Sequence, residues 1–259
     1  MRRIILSGFT AFVVLFTVAP LLVLVFSSFD DGKFFRFPPR ELSLRWFRAA
    51  FASAEYRSSL FNSTVVGLLA TVISVTLGTA AALGLQRGVL KTRASLEMVL
   101  LAPLTLPLVI WAIALLQIYA WLGIGGTLSG LVLAHATFTL PFSVRVMLAT
   151  LSSIDPGLEL AARSLGARPW RAFARVTLPL ALPGLATSVA LSFFISFNDV
   201  IVSTFIAGSS WMTFPVRLYS QLRGQGIDPT TLAIGTMVIC SILSVVILTE
   251  IFSRKALRT

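Results

Sequence analysis

The stretch DPGLELAARSLGARPWRAFARVTLP, residues 155–179, is polar and basic and separates two long apolar runs. Its first half has the pattern of a short helix, because Asp155 is suited to cap a helix whose first position is taken by Pro156. Gly166 supplies the permissive backbone at which such a helix ends, and Pro169 opens a second one. The stretch therefore predicts two short helices in the loop between two apolar runs.

These two predicted helices are amphipathic. Apolar residues share one face of each helix, namely Leu158, Ala161, Ala162 and Leu165 on the first and Trp170 and Phe173 on the second. Arginines remain free to face a partner or lipid phosphates, namely Arg163, Arg168, Arg171 and Arg175. From the residues alone, two interpretations stay open: a surface that receives force from another protein, and a segment that only anchors the loop at the membrane.

Outside this loop the chain is strongly apolar. Of its 259 residues 56% are hydrophobic and 12% charged, and the charges collect between apolar runs long enough to cross a bilayer. We therefore predict an all-α membrane protein, a single transmembrane domain over residues 1–259. The six predicted transmembrane helices cover residues 4–26, 59–85, 96–121, 128–148, 180–207 and 229–252, with the loop at 149–179.

Several spans carry distinctive residues. The first could be a signal peptide, but no small-x-small cleavage site follows it, and we expect a retained span. The second carries a stripe of small residues that permits close helix packing, namely Gly67, Thr71, Ser74, Gly78 and Ala82. We expect kinks in the third and fourth spans from Pro103, Pro107 and Pro141.

The basic residues predict the orientation. With the N-terminus inside, 13 of the 21 Lys and Arg residues fall in inner segments, which leaves 8 outside. This bias predicts cytoplasmic N- and C-termini. It also explains the net charge of +11 without nucleic acid, which we do not expect as a partner.

Among the polar residues within the predicted spans we single out His135, Asn198 and Asp199. Ionisable groups inside the bilayer are functional by default, so we interpret them as candidates for a substrate path or gate. For Asp199 an interhelical hydrogen bond is the alternative. For His135 packing with a hydrogen bond is the favoured interpretation. A single histidine and a single cysteine, Cys240, leave no metal site to predict in this chain.

Catalytic and nucleotide-binding motifs are missing from the sequence. The one Gly-Lys pair, Gly32-Lys33, lacks the earlier glycine of a phosphate-binding loop, so we predict no cofactor and no enzymatic activity in this chain. An ion- or proton-coupled secondary transporter stays as the alternative, although we find no internal repeat. A membrane-embedded enzyme is a third reading, without a second intramembrane carboxylate to support it.

The loop resembles the EAA signature of binding-protein-dependent ABC permeases, which reads Glu-Ala-Ala, three residues, Gly, nine residues, then Ile-x-Leu-Pro. Ala161, Ala162 and Gly166 match its first part, and residues 176–179, Val-Thr-Leu-Pro, match its end. Leu160 stands at the glutamate position and Glu159 one residue earlier.

The resemblance implies the architecture of a type I (MetI-like) ABC importer permease, whose cytoplasmic coupling helix docks on an ATP-binding subunit. On this resemblance the docking loop includes Glu159, Leu160, Ala161, Ala162, Gly166, Ala167, Trp170 and Pro179. It also implies the partners: a second permease subunit in a heterodimer, two cytoplasmic subunits that hold ATP and Mg, and a periplasmic substrate-binding protein. The membrane would be the bacterial inner membrane.

Within that family the chain looks most similar to the spermidine/putrescine (PotC-like) group. Residues 135–142, 196–203 and 214–220 carry this likeness. Where that group tends to carry Asp-Asp, this chain has Asn198-Asp199. The resemblance therefore implies a small amino-bearing cargo, polyamine-like first, with opines, aminophosphonates and amino acids as alternatives.

Overall fold

The computed structural model describes residues 2–88, 92–226 and 228–256. Within these residues the chain forms α-helices joined mostly by short loops, and the longest connection, residues 28–44, contains an antiparallel bridge between Asp30 and Leu42. The helices are α1 (Arg2–Ser27), α2 (Arg45–Ala52), α3 (Ala54–Arg87), α4 (Arg93–Leu101), α5 (Leu108–Leu122), α6 (Leu128–Ser152), α7 (Pro156–Ser164), α8 (Pro169–Ala172), α9 (Leu178–Phe197), α10 (Ile201–Ile206), α11 (Phe214–Gln225) and α12 (Pro229–Ala256).

Four of the described helical segments are long and apolar enough to cross a membrane, namely Leu6–Ser27, Ala54–Arg87, Leu128–Ser152 and Pro169–Phe197. A fifth candidate consists of Arg93–Leu104 and Leu108–Leu122 taken together, which are bent by 98° at their junction. The described apolar part of α12, Pro229–Ser241, is shorter. The predicted all-helical membrane fold is therefore confirmed, with four or five such segments in the described residues.

The third predicted span, 96–121, is not one kinked helix. It ends as α4 at Leu101, passes through a 3₁₀ turn at Ala102–Leu104, and resumes as α5 at Leu108. Pro107 precedes α5 in an extended conformation (φ −56°, ψ 127°). Two prolines four residues apart each remove an amide donor and disfavour helix at the residue before them, so a break replaces the expected kink. Pro141, by contrast, lies inside the continuous helix α6.

The fifth predicted span, 180–207, also has different bounds. The helix begins already at Pro169, because α8 continues through a π turn at Phe173–Thr177 into α9. The second short helix expected in the loop is thus the start of the long helix. At the π turn the amide of Leu178 donates to the carbonyl of Phe173, five residues back. At the other end α9 stops at Phe197, and α10 is a separate helix.

The chain divides into two compact units. The smaller contains residues 1–57 and 218–259, in which α12 packs against α1 and α2. The hydroxyls of Tyr56 and Thr231 lie 3.3 Å apart there.

The larger unit, residues 58–217, is built around α6. The apolar core joins α3, α5, α6 and α10 through residues that include Val66, Leu115, Leu131, Phe138 and Val202. A second cluster joins the ends of α3, α6 and α9 and consists of Ala82, Met147, Leu151 and Ala181. The helix α6 is the most buried of the long apolar helices, with 61% of its apolar window inside the protein.

The predicted stripe of small residues on α3 is confirmed as a buried face. A Cβ atom at Gly78 would lie 2.6 Å from Ser143 Oγ on α6, and one at Gly67 would lie 3.0 Å from the ring of Phe193 on α9. The helices approach closely at these points because glycine has no side chain there.

Candidate functional site

The 149–179 loop begins with a capped helix. Asp155 Oδ1 accepts from the amide of Gly157 at 2.8 Å, and Pro156 takes the first position of α7, as predicted. Gly166 has φ of +90° and ends the helix. The amides of Gly166 and Ala167 donate to the carbonyls of Arg163 and Ala162 at 3.0 and 3.1 Å, which is the Schellman pattern. The end of α7 is thereby fixed by backbone hydrogen bonds that need a left-handed residue.

Glu159 holds this loop to the neighbouring helices. Its Oε2 accepts from Thr177 Oγ1 at 2.5 Å, at the π turn, and forms an ion pair with Arg87 at the end of α3. The guanidinium of Arg87 also lies 5.1 Å from the ring centre of Phe173. Sequence reasoning missed Arg87 and Thr177 as partners. Since successive helix residues point about 100° apart, Glu159 faces inward with an 18% exposed side chain, while Leu160 faces outward.

A second contact fixes the same region. Gln86 Nε2 donates to the carbonyl of Leu151 at 2.5 Å, joining the ends of α3 and α6 next to the cluster around Met147. The helix α7 is thus attached through Glu159 to the end of α3 and to the π turn, and a separate contact joins α3 to the end of α6.

Four large apolar side chains of the loop are exposed. Leu158, Leu160, Leu165 and Trp170 are 47%, 57%, 89% and 64% exposed. The loop's arginines are exposed as well, namely Arg163, Arg168, Arg171 and Arg175, and exposed apolar residues among basic ones occur both at protein interfaces and at membrane surfaces. We call these four residues the apolar patch.

Two of the three predicted path residues meet in a buried polar cluster. His135 on α6 bonds through Nδ1 with Ser196 Oγ at 2.7 Å and through Nε2 with Ser203 Oγ at 3.0 Å. Asp199 Oδ2 lies 3.7 Å from His135 Nε2. His135 and Asp199 are 1% and 7% exposed. The cluster therefore joins α6 to the ends of α9 and α10.

Asp199 itself shapes the backbone. Its Oδ1 and Oδ2 accept from the amides of Val202 and Ser203 at 3.2 and 2.7 Å, so the carboxylate caps the first turn of α10. This capping role was not predicted, although an Asp directly before a short apolar stretch is a helix N-terminus signal.

Asn198 does not belong to the cluster. Its side chain is exposed and donates to the carbonyl of Phe194 at 2.9 Å. At the break between α9 and α10, the side-chain amide of Asn198 is therefore accessible, while the carboxylate of Asp199 is buried. The two predicted groups of site residues, the loop and the path candidates, thus form separate regions of the larger unit.

Comparison with known proteins gives the class to which these features belong. Residues 74–258 match the family described as binding-protein-dependent transport system inner membrane component. The chain is 28% identical to the spermidine/putrescine transport system permease protein PotC of Haemophilus influenzae, over 98% of this chain and 99% of that protein. It is 30% identical to the putrescine transport system permease protein PotI of Escherichia coli, over 91% of this chain and 84% of that protein.

A solved structure supports the same fold. A chain of a bacterial ABC transporter involved in the import of the acidic polysaccharide alginate superposes with a TM-score of 0.71, at 17% identity, over 97% of this chain and 95% of that one.

These findings identify a multi-pass permease subunit of an ABC transport system of the inner membrane, in which ATP hydrolysis is the task of separate subunits. The chain belongs to the family of binding-protein-dependent transport system inner membrane components and is similar to its PotC group. The secondary-transporter and enzyme alternatives are set aside by this membership.

Proposed function

We propose that the chain forms half of the translocation path of an ATP-driven importer and receives the movement of an ATP-binding subunit through the 149–179 loop. The observation that carries this proposal is the apolar patch on a helix that is itself anchored. Leu165 is 89% exposed, while Glu159 on the same helix is bonded to Arg87 and Thr177. An anchored helix with an apolar outer face is suited to move as a rigid body with its partner.

The proposed topology has six spans and cytoplasmic N- and C-termini. They are α1, α3, the bent pair α4 and α5, α6, the helix from Pro169 to Phe197, and α12. The bent pair counts as one span because its two parts together are long and apolar enough to cross the membrane. The excess of Lys and Arg in the segments on the side of the 149–179 loop supports this orientation.

The proposed assembly contains a second, non-identical permease subunit, two cytoplasmic ATP-binding subunits and a periplasmic substrate-binding protein. ATP and Mg would be bound by the ATP-binding subunits alone. Membership in a binding-protein-dependent family supports the binding protein, and the relatives' place in transport systems supports the rest.

The break between α9 and α10 is our candidate for the gate. Helix-breaking residues inside a membrane are tolerated where they line a cavity or are bonded to neighbouring helices. Asp199 and His135 supply such bonds, while the exposed amide of Asn198 is available to solutes. In this arrangement Asn198 would meet the substrate, Asp199 would attract a cationic group by its charge, and His135 would hold the break in place.

The proposed cargo is a small amino-bearing solute, polyamine-like first. Support comes from the names of the relatives, spermidine/putrescine and putrescine permeases. Opines, aminophosphonates and amino acids stay as alternative cargoes, because one acidic residue offers less charge to a polycation than the expected pair would.

Reconstitution tests the function. The chain is co-expressed with the second permease and ATP-binding subunits and reconstituted into proteoliposomes with the binding protein outside and ATP inside. We expect uptake only when ATP and all subunits are present. Uptake by this chain alone, driven by an ion gradient, would contradict the proposal.

Two substitutions at the break test the gate. Asp199→Asn keeps an acceptor for the α10 amides but removes the charge, so we expect weaker uptake of a cationic solute with the fold retained. Asn198→Asp adds a carboxylate and should raise the preference for spermidine over neutral solutes. If both variants transport every solute as the unmodified protein does, the break is not the gate.

A further inference from the structure

A cavity of about 420 Å³ with charged side chains in its lining adjoins the start of the 149–179 loop. It is open on one side, is lined by the ends of α3, α4 and α6, and includes neither α7 nor the His135 cluster. Its lining includes Gln86, Arg93, Glu97, Leu101, Arg145 and Leu148. Its volume falls in the range of about 300–1,000 Å³ that is usual for small-molecule sites.

The charged groups of this cavity are not paired with one another. Glu97 shares the lining with Arg93 and Arg145, yet among the residues that the structure describes none of the three forms an ion pair. Opposite charges that face one cavity without meeting are suited to a ligand that itself carries both signs, because each group then finds a counter-charge on the ligand.

The α4 side of the cavity changes from charged to apolar along the helix. On α4, Arg93, Glu97 and Leu101 follow one another at four-residue spacing and so lie on one face. At 1.5 Å per residue Glu97 lies about 6 Å and Leu101 about 12 Å from Arg93. Leu148 lines the cavity from α6. On α4 the charges thus stand at the end near the loop and Leu101 stands farther along the helix, while on α6 Arg145 lies about one turn farther from the loop than Leu148.

The adjoining surface of α4 is apolar and uncovered. Met98 and Val99 are 74% and 69% exposed. A ligand seated in the cavity could lay hydrocarbon chains along this face, as an amphipathic molecule requires. The two charged residues on α4 are about 6 Å apart along the helix, which is comparable to one headgroup layer, since the two layers together account for about 10–15 Å of the bilayer.

We propose that this cavity binds the headgroup of a phosphatidylethanolamine molecule of the inner leaflet, with the phosphate at Arg93 and Arg145 and the ammonium at Glu97. Basic pockets between membrane helices on the cytoplasmic side are typical sites for lipid headgroups. Glu97 selects the zwitterion, because its carboxylate repels a headgroup that carries only negative charge. The assignment to the inner leaflet rests on the proposed function, which puts the 149–179 loop in the cytoplasm.

Native mass spectrometry of the purified transporter, titrated in detergent with phosphatidylethanolamine or phosphatidylglycerol, tests this site. We expect one phosphatidylethanolamine per copy of this chain, retained at least about tenfold more tightly than phosphatidylglycerol, the effect of one charge-assisted contact. Arg145→Gln should weaken phosphatidylethanolamine binding by about the same factor. Glu97→Gln should abolish the preference between the two lipids.

Matched control variants are Arg36→Gln and Glu41→Gln, which remove the same charges from exposed positions outside the larger unit. They should bind both lipids as the unmodified protein does. Assembly of each variant is read from the same spectra, so that loss of lipid is separated from loss of fold.

Several results would overturn the proposal. Equal retention of the two lipids by the unmodified protein would remove the zwitterion assignment, as would unchanged retention in Arg145→Gln. Competition by free glycerophosphoethanolamine at the affinity of the lipid would identify a soluble ligand instead. Lipid retention needs neither ATP nor cargo, so it is scored separately from uptake, and a failure of the importer proposal would appear only in the uptake assay.

Discussion

At the scale of single residues, Glu159 makes a structural contact that its position in the motif does not predict. Glu159 stands one residue before the glutamate position of the EAA signature, so the motif alone does not say what its carboxylate contacts. In the structure it is the contact between α7, the end of α3 and the π turn. The sequence pattern predicts the helix and its cap. The partner of Glu159, Arg87, lies 72 residues earlier in the chain on another helix, and local sequence rules do not predict such a pairing.

The first prediction concerns this contact. Glu159→Gln and Arg87→Gln should each lower the free energy of unfolding by about 1 kcal/mol, a modest value because the side chain of Arg87 is 45% exposed and partly screened by solvent. In a double-mutant cycle monitored by thermal unfolding, the pair should show a coupling of about 0.5–1 kcal/mol.

The control for this cycle is Arg163→Gln, at an exposed position on the same helix. It should leave the stability unchanged and show no coupling to Glu159→Gln. If the losses at Arg87 and Glu159 simply add, the contact does not hold the loop.

The second prediction concerns Gly166. No atom lies within 4 Å of a Cβ built at this position, so only its φ of +90° opposes a side chain. Gly166→Val should cost about 1–2 kcal/mol of backbone strain and lower the number of solute molecules imported per ATP hydrolysed. Gly166→Asn should retain most of the coupling, because asparagine tolerates the left-handed region. Equal coupling in the two variants would show that the end of α7 needs no left-handed residue.

At the scale of elements, local sequence signals gave the helices and their packing faces but not their breaks. The small-residue stripe of α3 could be predicted because the helical period places those residues on one face. The separation of α4 from α5 could not be predicted, because a proline alone does not decide whether a helix breaks. Pro141 lies inside the continuous helix α6, whereas Pro103 and Pro107 lie where one helix ends and the next begins. The end of α9 depends on Asp199 capping α10 and on its contact with His135, which lies 64 positions earlier in the chain and is brought near by the fold.

The third prediction tests the packing of α3. Gly78→Leu should lower stability by at least about 1–3 kcal/mol, because a Cβ there would lie 2.6 Å from Ser143 Oγ. Gly84→Leu on the same helix is the matched control, since nothing lies within 4 Å of its Cβ. Thermal unfolding in detergent measures both. Equal effects of the two substitutions would mean that α3 does not approach α6 through its glycine face.

At the scale of the whole molecule, the larger unit connects two regions through α6. Near one end of this helix lies the 149–179 loop, attached through Gln86 and Glu159. His135, nearer its other end, holds the break between α9 and α10. A movement received by α7 thus has a continuous path of packed helices to the proposed gate. Such a path is a physical connection, and transport measurements decide whether it carries the coupling.

The most direct test of this account is site-specific photo-crosslinking in the assembled transporter. A photoreactive amino acid replaces Leu165 in the apolar patch or, as a control, Trp121 on α5, which is 84% exposed and distant from the loop in sequence. We predict that the Leu165 position crosslinks to the ATP-binding subunit and that the yield changes when ATP is added, while the Trp121 position gives no such product. A complex that contains the ATP-binding subunit but gives no crosslink from position 165 would contradict the central claim.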